Sequence, residues 1–319
     1  MRKVAFIFPG QGSQYVGMGK DFYEAFPESK QVFEETNESL KMNIRDICFQ
    51  GRNEELIRTE NTQPAILATS IAMMKALEKE GIDCEFTAGL SLGEYTALVK
   101  SEGVGFRDAL WLVRVRGKLM QEAVPEGIGG MAAILGLSRE KVLMAIEKVK
   151  DHNIVEVANY NSPEQIVISG EKEGIQLACQ EAIKLGAKKA VPLPVSAPFH
   201  SSLLKPAGER LKEELDKVKL WDLNKNLVSN VDGKPVTCKE EIKEKLVNQV
   251  SSSVLWQDSI EFMMREGVNT FIEIGPGKTL TSFVKRIGKS IDKPVETFNV
   301  NSIETLKKTI DSFGKEVTN

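Results

Sequence analysis

One serine, Ser91, lies between Gly89 and Gly93 in the stretch Gly-Leu-Ser-Leu-Gly. The apolar residues 86–90 predict a short buried strand, and residues 92–100 predict the start of a helix. A strand-to-helix turn this sharp needs glycine on both sides, and it lifts the serine hydroxyl above the sheet at the positive end of the helix. The five-residue pattern also occurs in ordinary loops, so the prediction that Ser91 is a nucleophile depends on the strand and helix around it.

A serine hydroxyl needs a base to remove its proton, and the chain has two histidines, His152 and His200. His152 lies in a polar stretch that is typical of a solvated surface. His200 follows a predicted strand in a segment stiffened by Pro194 and Pro198. That position, at the carboxyl end of a strand, is where α/β folds gather their chemistry. We predict that Ser91 and His200 form a dyad, although a structural or helix-capping histidine is the alternative.

Composition favours an enzyme and excludes several other classes. The 319 residues are 41% hydrophobic and carry a net charge of −3, which argues against a nucleic-acid partner. No stretch has the length and apolar character of a signal peptide or a membrane span. The four cysteines are scattered without a C-x-x-C pair, so neither a metal site nor a disulfide framework is expected. We expect a cytoplasmic, monomeric protein without membrane contact.

The order of predicted elements indicates an insertion. A strand at 4–8, the turn at Ser91 and helices at 62–80 and 106–123 belong to an α/β unit. The next stretch reads as β-α-β-β-α-β in under seventy residues, which is the ferredoxin-like pattern. The α/β pattern then resumes. We therefore predict a large α/β-hydrolase-like domain (1–126 and 198–319) interrupted by a small ferredoxin-like domain (127–197).

Six motifs in the same order resemble those of the malonyl-CoA:acyl carrier protein transacylases. They are Phe-Pro-Gly-Gln-Gly-Ser-Gln (8–14), Gly-x-Ser-Leu-Gly-Glu (89–94), Arg-Val-Arg-Gly-Lys-Leu-Met-Gln (114–121), Ala-Asn-Tyr-Asn-Ser-Pro (158–163), Pro-Phe-His-Ser-Ser (198–202) and Ile-Gly-Pro-Gly-Lys (274–278). The resemblance runs from Phe8 to about Arg286. It implies malonyl transfer from a coenzyme A thioester to the phosphopantetheine thiol of acyl carrier protein, in fatty-acid synthesis and without a cofactor.

Acyl transfer needs donors for the tetrahedral oxyanion. The backbone N–H of Leu92, directly after the nucleophile, is one natural donor, and a loop after an early strand should supply the other. The resemblance assigns that second donor to the backbone of Gln11. A plain glycine turn is the alternative for this loop. A phosphate-binding loop is disfavoured because no Gly-Lys-Ser/Thr follows.

The resemblance also assigns the residues that recognise substrate. A planar guanidinium suits the free carboxylate of malonyl, and Arg116 is the one implied. Arg114 lies two residues away on the same predicted helix, so at most one of the two can face the site. Phe199, beside the base, implies little room for an α-methyl branch.

Two more residues are implied, and one departs from the family. A backbone carbonyl near Gln249 would fix the tautomer of His200, so the pair would be a dyad without an acid. Asn161 would line the cleft from the small domain. The family usually has histidine before the serine, and Leu90 stands there instead. This departure bears on the rate more than on the class of reaction.

Other functions and a docking surface stay open at this point. A polyketide-serving acyltransferase, a serine thioesterase or esterase, and a non-catalytic scaffold compete with the main interpretation. Acyl carrier proteins are acidic as a class, so a local basic face is expected. Two clusters could form it: Lys188 with Lys189, and the group Lys278, Lys285, Arg286 and Lys289.

Overall fold

Two separate β-sheets organise the chain in the computed structural model, which describes residues 2–125, 127–195 and 197–314. The strands in chain order are β1 (Val4–Phe8), β2 (Phe86–Gly89), β3 (Gly129–Leu135), β4 (Val155–Ser162), β5 (Gln165–Glu171), β6 (Lys189–Pro192), β7 (Asn226–Val228), β8 (Thr270–Ile274) and β9 (Glu296–Val300). The larger sheet has the order β7-β2-β1-β8-β9, and every pair in it is parallel. Its carboxyl ends therefore meet at one edge.

Helices cover both faces of the parallel sheet. The α-helices in chain order are α1 (Lys20–Ala25), α2 (Pro27–Leu40), α3 (Ile44–Gln50), α4 (Asn53–Leu56), α5 (Thr59–Lys79), α6 (Gly93–Lys100), α7 (Phe106–Glu122), α8 (Arg139–Glu147), α9 (Lys172–Lys184), α10 (Lys205–Leu215), α11 (Lys239–Gln249), α12 (Trp256–Arg265), α13 (Thr279–Ser290) and α14 (Ile303–Gly314). Because both faces are covered, β1 and β8 are buried along their whole length.

The central strands divide the large core into two clusters. In β1, Phe6 and Phe8 pack into the cluster that includes α5 and α7, whereas Ala5 and Ile7 pack against α12 and α13 on the opposite face. This alternation is what a pleated strand produces when helices lie on both sides. Packed helices therefore support the end of the sheet, where the site lies, on both of its faces.

The smaller sheet is antiparallel and has the order β4-β5-β3-β6. Helices α8 and α9 share a third hydrophobic cluster with one face of it. Order and pattern are those of a ferredoxin-like unit, which confirms the predicted fold class: an α/β fold with a small inserted unit. The exact domain boundaries stay a prediction, since residue 126 and the nearby residue 196 lie outside the described part of the chain.

Most predicted elements have the expected type, with ends that shift by a few residues. Helix α5 begins at Thr59, three residues before the start predicted at 62. Where the α/β pattern resumes, a 3-10 turn (Ser202–Leu204) is followed by α10, which ends at Leu215. The helices between residues 20 and 56 and strand β9 were not predicted.

The described residues show neither a membrane-spanning helix nor a cluster suited to a metal ion. None of their helices combines the length and apolar character that a bilayer crossing needs. They also contain no group of three or more His, Cys, Asp or Glu side chains placed to hold a metal ion.

Candidate active site

The turn that carries Ser91 is as tight as its sequence predicts. Ser91 has a φ of 53°, in the left-handed region that L-residues rarely adopt. A Cβ added to Gly89 would lie 1.8 Å from the carbonyl carbon of Gly93, and one added to Gly93 would lie 2.1 Å from the carbonyl oxygen of Phe8. Both glycines are therefore needed for the backbone to pass, and the serine is held at the carboxyl edge of the sheet.

Asn230, which was not predicted as a site residue, fastens this turn. Its side-chain Oδ1 accepts a hydrogen bond from the N–H of Ser91 at 2.7 Å, and its Nδ2 donates to the carbonyl of Gly89 at 2.7 Å. The residue lies just past the end of β7, the neighbour of β2 in the sheet. One amide thus satisfies backbone groups on both sides of the strained position, which stabilises a conformation that costs roughly 1–3 kcal/mol.

Ser91 and His200 are brought together across 109 residues of sequence. The Ser91 Oγ lies 2.8 Å from Nε2 of His200. The other ring nitrogen, Nδ1, lies 2.8 Å from the backbone carbonyl of Gln249. Because a carbonyl can only accept, Nδ1 carries the proton, and Nε2 of the neutral ring is free to accept the serine proton.

Burial keeps this imidazole neutral. His200 is 5% exposed, and burial together with the nearby Arg116 guanidinium lowers its pKa to about 4. The ring is therefore unprotonated at physiological pH, as a general base must be.

The segment around His200 is held in part by a contact with the small sheet. His200 itself has a φ of 60°, in the left-handed region. The N–H of Ser202 donates to Oε2 of Glu156 on β4 at 2.5 Å, and Ser201 Oγ donates to the carbonyl of Pro198 at 2.7 Å. Phe199 is buried in the large core cluster next to the base. The inserted unit thus helps to place the histidine.

Arg116 points inward from α7 and is 1% exposed. Its Nη2 donates to Ser91 Oγ at 3.0 Å and to Gln249 Oε1 at 2.9 Å, and its Nη1 donates to Gln63 Oε1 at 2.9 Å. Among the described residues no carboxylate lies within ion-pair distance of it, and its buried Nε has no hydrogen-bond partner. A buried guanidinium beside a nucleophile, without an anion, is arranged to receive one.

Two neutral amides and one buried acid complete the surroundings of Arg116. Gln249 Nε2 donates to Oε2 of Glu94 at 2.6 Å and to the carbonyl of Ser91 at 3.0 Å. Glu94 is 1% exposed, and burial raises the pKa of its carboxyl to about 7. Gln63, Glu94 and Asn230 were all missed as site residues; the available signals were the Glu94 position in the quoted motif and an asparagine just past a strand end.

The two residues predicted to supply oxyanion donors, Gln11 and Leu92, each follow a strand of the parallel sheet, and those strands, β1 and β2, are neighbours. Leu92 caps the amino end of α6, where the helix dipole is positive. Gln11 lies in a turn closed by hydrogen bonds from the backbone N–H and Oγ of Ser13 to the carbonyl of Gly10. Among the described residues no backbone carbonyl accepts from the N–H of Gln11 or Leu92. Neither N–H is therefore used in a backbone hydrogen bond within the described part of the chain.

Two other expectations have a definite place in the structure. Leu90 is partly buried and packs against the core cluster that contains α12 and α13; a Cβ added to Gly10 would lie 2.4 Å from the Leu90 carbonyl oxygen, so the Gln11 turn passes close to the backbone of Leu90. Asn161 on β4 is buried and donates to Gln165 Oε1 at 3.0 Å. No hydrogen bond joins it to the dyad among the described residues, although its buried Oδ1 has no partner.

These elements define a serine-dependent acyltransferase as a class: an elbow serine, a neutral histidine, two candidate backbone donors and a buried cation. A family comparison agrees, because the acyl transferase domain family matches residues 5–315. The malonyl CoA-acyl carrier protein transacylase of Bacillus subtilis is 47% identical over 320 residues, covering 100% of both chains. That of Escherichia coli strain K12 is 43% identical over 288 residues, or 90% of this chain and 93% of its own. The chain belongs to the malonyl CoA-acyl carrier protein transacylase family.

Solved structures agree with the sequence comparison. The crystal structure of malonyl CoA-acyl carrier protein transacylase from Clostridium perfringens has a TM-score of 0.95 and 47% identity, covering 99% of this chain and 98% of its own. A malonyl-transacylase in holo complex with its type II PKS acyl-carrier protein has a TM-score of 0.94 and 40% identity, covering 97% and 99%. Fold and family are thus established together.

Proposed function

We propose that this chain moves malonyl from malonyl-CoA to the phosphopantetheine thiol of acyl carrier protein, through an ester on Ser91, in fatty-acid biosynthesis. The observation that carries the proposal is Arg116. It is a buried guanidinium within hydrogen-bond distance of the nucleophile, without a carboxylate of its own. An esterase for neutral acyl groups has no use for that charge, whereas malonyl brings the missing carboxylate.

Acylation begins when Ser91 Oγ attacks the thioester carbonyl while His200 Nε2 takes the hydroxyl proton. The carbonyl oxygen becomes an oxyanion held by the N–H groups of Gln11 and Leu92. The resulting imidazolium is stabilised by the Gln249 carbonyl at Nδ1. Collapse of the intermediate breaks the carbon–sulfur bond, and Nε2 returns the proton to the departing coenzyme A sulfur.

Deacylation repeats the chemistry with a second thiol. His200 Nε2 removes the proton from the phosphopantetheine thiol, whose sulfur attacks the malonyl ester carbonyl. Collapse breaks the ester bond and returns the proton to Ser91 Oγ. One serine holds malonyl between two thiols in turn, so the kinetics are ping-pong. Every role is filled by groups of this chain, so no cofactor is part of the proposal.

Selectivity and location complete the proposal. Phe199 limits the space beside the base and disfavours an α-methyl branch, and Asn161 lines the cleft from β4. We place the enzyme in the cytoplasm, as a monomer. The four cysteines, all free, suit a reducing compartment.

The test is covalent labelling without carrier protein. Incubation with malonyl-CoA should give an adduct about 86 Da heavier on the peptide that contains Ser91. Cysteine acylation is a competing outcome, yet burial raises the pKa of Cys48 and Cys84 to about 12 each, so both are poor nucleophiles. Resistance to neutral hydroxylamine distinguishes the oxygen ester from a thioester. A label that maps to a cysteine, or no label on intact enzyme, would contradict the proposal.

Two other functions are separated by the fate of the label. The PKS acyl-carrier protein bound to the solved relative supports a polyketide carrier as second candidate. Comparing the rates of transfer to a fatty-acid carrier and a type II polyketide carrier decides between them. A thioesterase would release malonate to water at similar rates with or without any carrier.

The structure brings the two predicted basic clusters to related places. Lys189 pairs with Leu135 at one end of the small sheet, and the next residue, Gly136, donates its N–H to the carbonyl of Glu164. Arg286 of α13 approaches Glu164 at 3.7 Å. Residues of both clusters are exposed, and Arg286 brings the second cluster to the end of the sheet where Lys189 lies. The spacing of Lys278, Lys285 and Lys289, seven and four residues apart, predicts one helical face, but that prediction is wrong for Lys278, which precedes α13.

Charge reversal tests this docking surface. Lys188→Glu with Lys189→Glu, and separately Lys285→Glu with Arg286→Glu, should slow transfer to carrier protein and weaken its dependence on salt. Ser91 labelling by malonyl-CoA should stay near normal. The matched control is Lys75→Glu with Lys79→Glu at the end of α5, which leads to the amino edge of the sheet, away from Ser91. If both half-reactions fall together, or neither does, carrier protein docks elsewhere.

A further inference from the structure

A buried carboxylate that the mechanism does not use lies one side chain away from Arg116. Glu94 Oε2 accepts from Gln249 Nε2 at 2.6 Å and from the backbone N–H of Asn230 at 3.1 Å. Both partners contact the reacting groups: Gln249 holds Arg116 and Asn230 holds the N–H of Ser91. One acid thus anchors the two residues that place the nucleophile and the cation.

We propose that Glu94 is a positioning residue whose ionised carboxylate fixes the orientation of the Gln249 amide, and through it the placement of Arg116 for the substrate carboxylate. This inference rests on the proposed function. An ionised carboxylate can only accept, so it requires the NH2 of Gln249 on its side and leaves Oε1 for the guanidinium. A protonated acid has a donor of its own and no longer requires the NH2. The amide then keeps the weaker hold of the Ser91 carbonyl on its NH2, at 3.0 Å, and can turn that NH2 toward Arg116, where donor would meet donor.

Among the ionisable groups around the site, the Glu94 carboxyl is the group expected to titrate near neutral pH. Arg116 on α7 faces it, and burial lowers the pKa of that guanidinium from its ordinary value. Burial also raises the pKa of the adjacent Tyr95 above its usual range. His200, beyond Gln249, has a pKa lowered to about 4. The Glu94 carboxyl, raised to about 7 by burial, therefore protonates before the base does as pH falls.

The expected result is a fall in kcat/KM at low pH that is caused by protonation of Glu94 and not of His200. In a ping-pong enzyme, kcat/KM for malonyl-CoA reports only the acylation half-reaction. For the wild type it should fall as pH drops through about 7. Glu94→Gln keeps the shape of the side chain but carries a donor at every pH. The kcat/KM of this variant for malonyl-CoA should therefore not change with pH across this range. At pH 8 the variant should be slower by about 10-fold to 10²-fold, as expected for a misplaced group, and near pH 5.5 it should approach the wild type.

Substrate preference gives a second signature that a merely structural role would not move. Because Gln249 acts on Arg116, Glu94→Gln should lose more rate with malonyl-CoA than with acetyl-CoA. The matched control is Glu273→Gln. Glu273 is a buried glutamate on β8 whose pKa is also raised by burial, and its carboxylate accepts from the N–H groups of Leu280 and Thr281. None of its hydrogen bonds within the described part of the chain reaches a site residue, so its variant should keep the fall in kcat/KM below pH 7 that the wild type shows.

A thermal measurement keeps the inference testable apart from activity. A carboxyl whose folded pKa is raised contributes stability in its protonated form, and that contribution is lost as pH rises through about 7. The Tm of Glu94→Gln relative to wild type should therefore increase from pH 5 to pH 8. A fall in kcat/KM below pH 7 retained in Glu94→Gln, equal losses with both thioesters, or a Tm difference independent of pH would each overturn the proposal. Failure of the wild type to label Ser91 at all would instead overturn the proposed function.

Discussion

Removing the base should leave a folded enzyme that acylates slowly. His200→Ala should reduce the rate of Ser91 malonylation by about 10²–10⁴-fold, as expected for loss of a general base. Ser91 Oγ then has no acceptor at 2.8 Å for its proton, whereas the oxyanion donors and Arg116 stay in place. Rapid-quench mass spectrometry of the acyl-enzyme measures this step directly, without carrier protein.

Ser91→Ala should abolish the label altogether, because no other residue in the site forms the ester. The double variant should be no worse than Ser91→Ala alone, since groups that act as one unit have non-additive effects. Such a result would show that the serine and the histidine serve the same step.

His152→Ala is the matched control for the base. It removes the only other histidine, which is exposed in the turn after α8. Malonylation by this variant should equal that of the wild type. If His200→Ala lost less than about tenfold while retaining the wild-type Tm, general-base catalysis by His200 would be wrong.

The elbow was predictable from sequence because its causes are local. Gly89 and Gly93 are required by contacts within the turn and with the adjacent strand β1, and the alternation of strand, turn and helix around Ser91 spans only fifteen residues, 86–100. Strand β1 and helix α7 also lie where the sequence predicts them, because each has its own apolar pattern and clear ends.

The helices between residues 20 and 56 escaped prediction for physical reasons. Two of them, α3 and α4, have 7 and 4 residues, too few for a periodic signal. Helix α2 buries Ser29 and Thr36 beside its apolar residues, and their hydroxyls donate to backbone carbonyls. A buried face made partly of small polar residues weakens the periodicity on which prediction depends. Pro27 at the first position of α2 was the signal available.

The polar network of the site could not be read from sequence. Gln63, Glu94 and Asn230 are buried polar residues whose partners lie far away along the chain, so no local pattern marks them. The bonds of Arg116 to Gln63 and Gln249 span 53 and 133 residues. Arg116, Gln249 and Gln11 were predicted from resemblance to a family, whereas Ser91 and His200 were predicted from the local sequence pattern. The sequence thus predicts the reacting pair, and only the fold shows what orients it.

Removing the cation should change which acyl group the enzyme accepts. With Arg116→Ala the malonyl carboxylate would be buried without a partner, at a cost of roughly 2–5 kcal/mol. That corresponds to a loss in kcat/KM for malonyl-CoA of about 30-fold to several thousand-fold. Acetyl-CoA has no carboxylate and should lose far less. The ratio of the two acylation rates, measured on the same enzyme preparation, is the quantity to follow.

The pH of that measurement matters because Arg116 also acts on the base. Its charge helps to lower the pKa of His200, so its removal should let that pKa rise toward the ordinary value of the imidazole. At pH 8 the histidine is neutral in both enzymes, and the comparison then reports substrate recognition alone. Near pH 6 the variant should lose additional rate with both thioesters, as part of its base becomes protonated.

Arg114→Ala provides the matched control, since Arg114 lies two residues earlier on α7 and is only half-buried. Its removal takes the same charge from the same helix but leaves the contacts with Ser91 and Gln249 intact. We expect its ratio of malonyl to acetyl transfer to match the wild type. Equal losses with both thioesters in Arg116→Ala at pH 8 would mean that the guanidinium supports the fold of the site and does not read the substrate carboxylate.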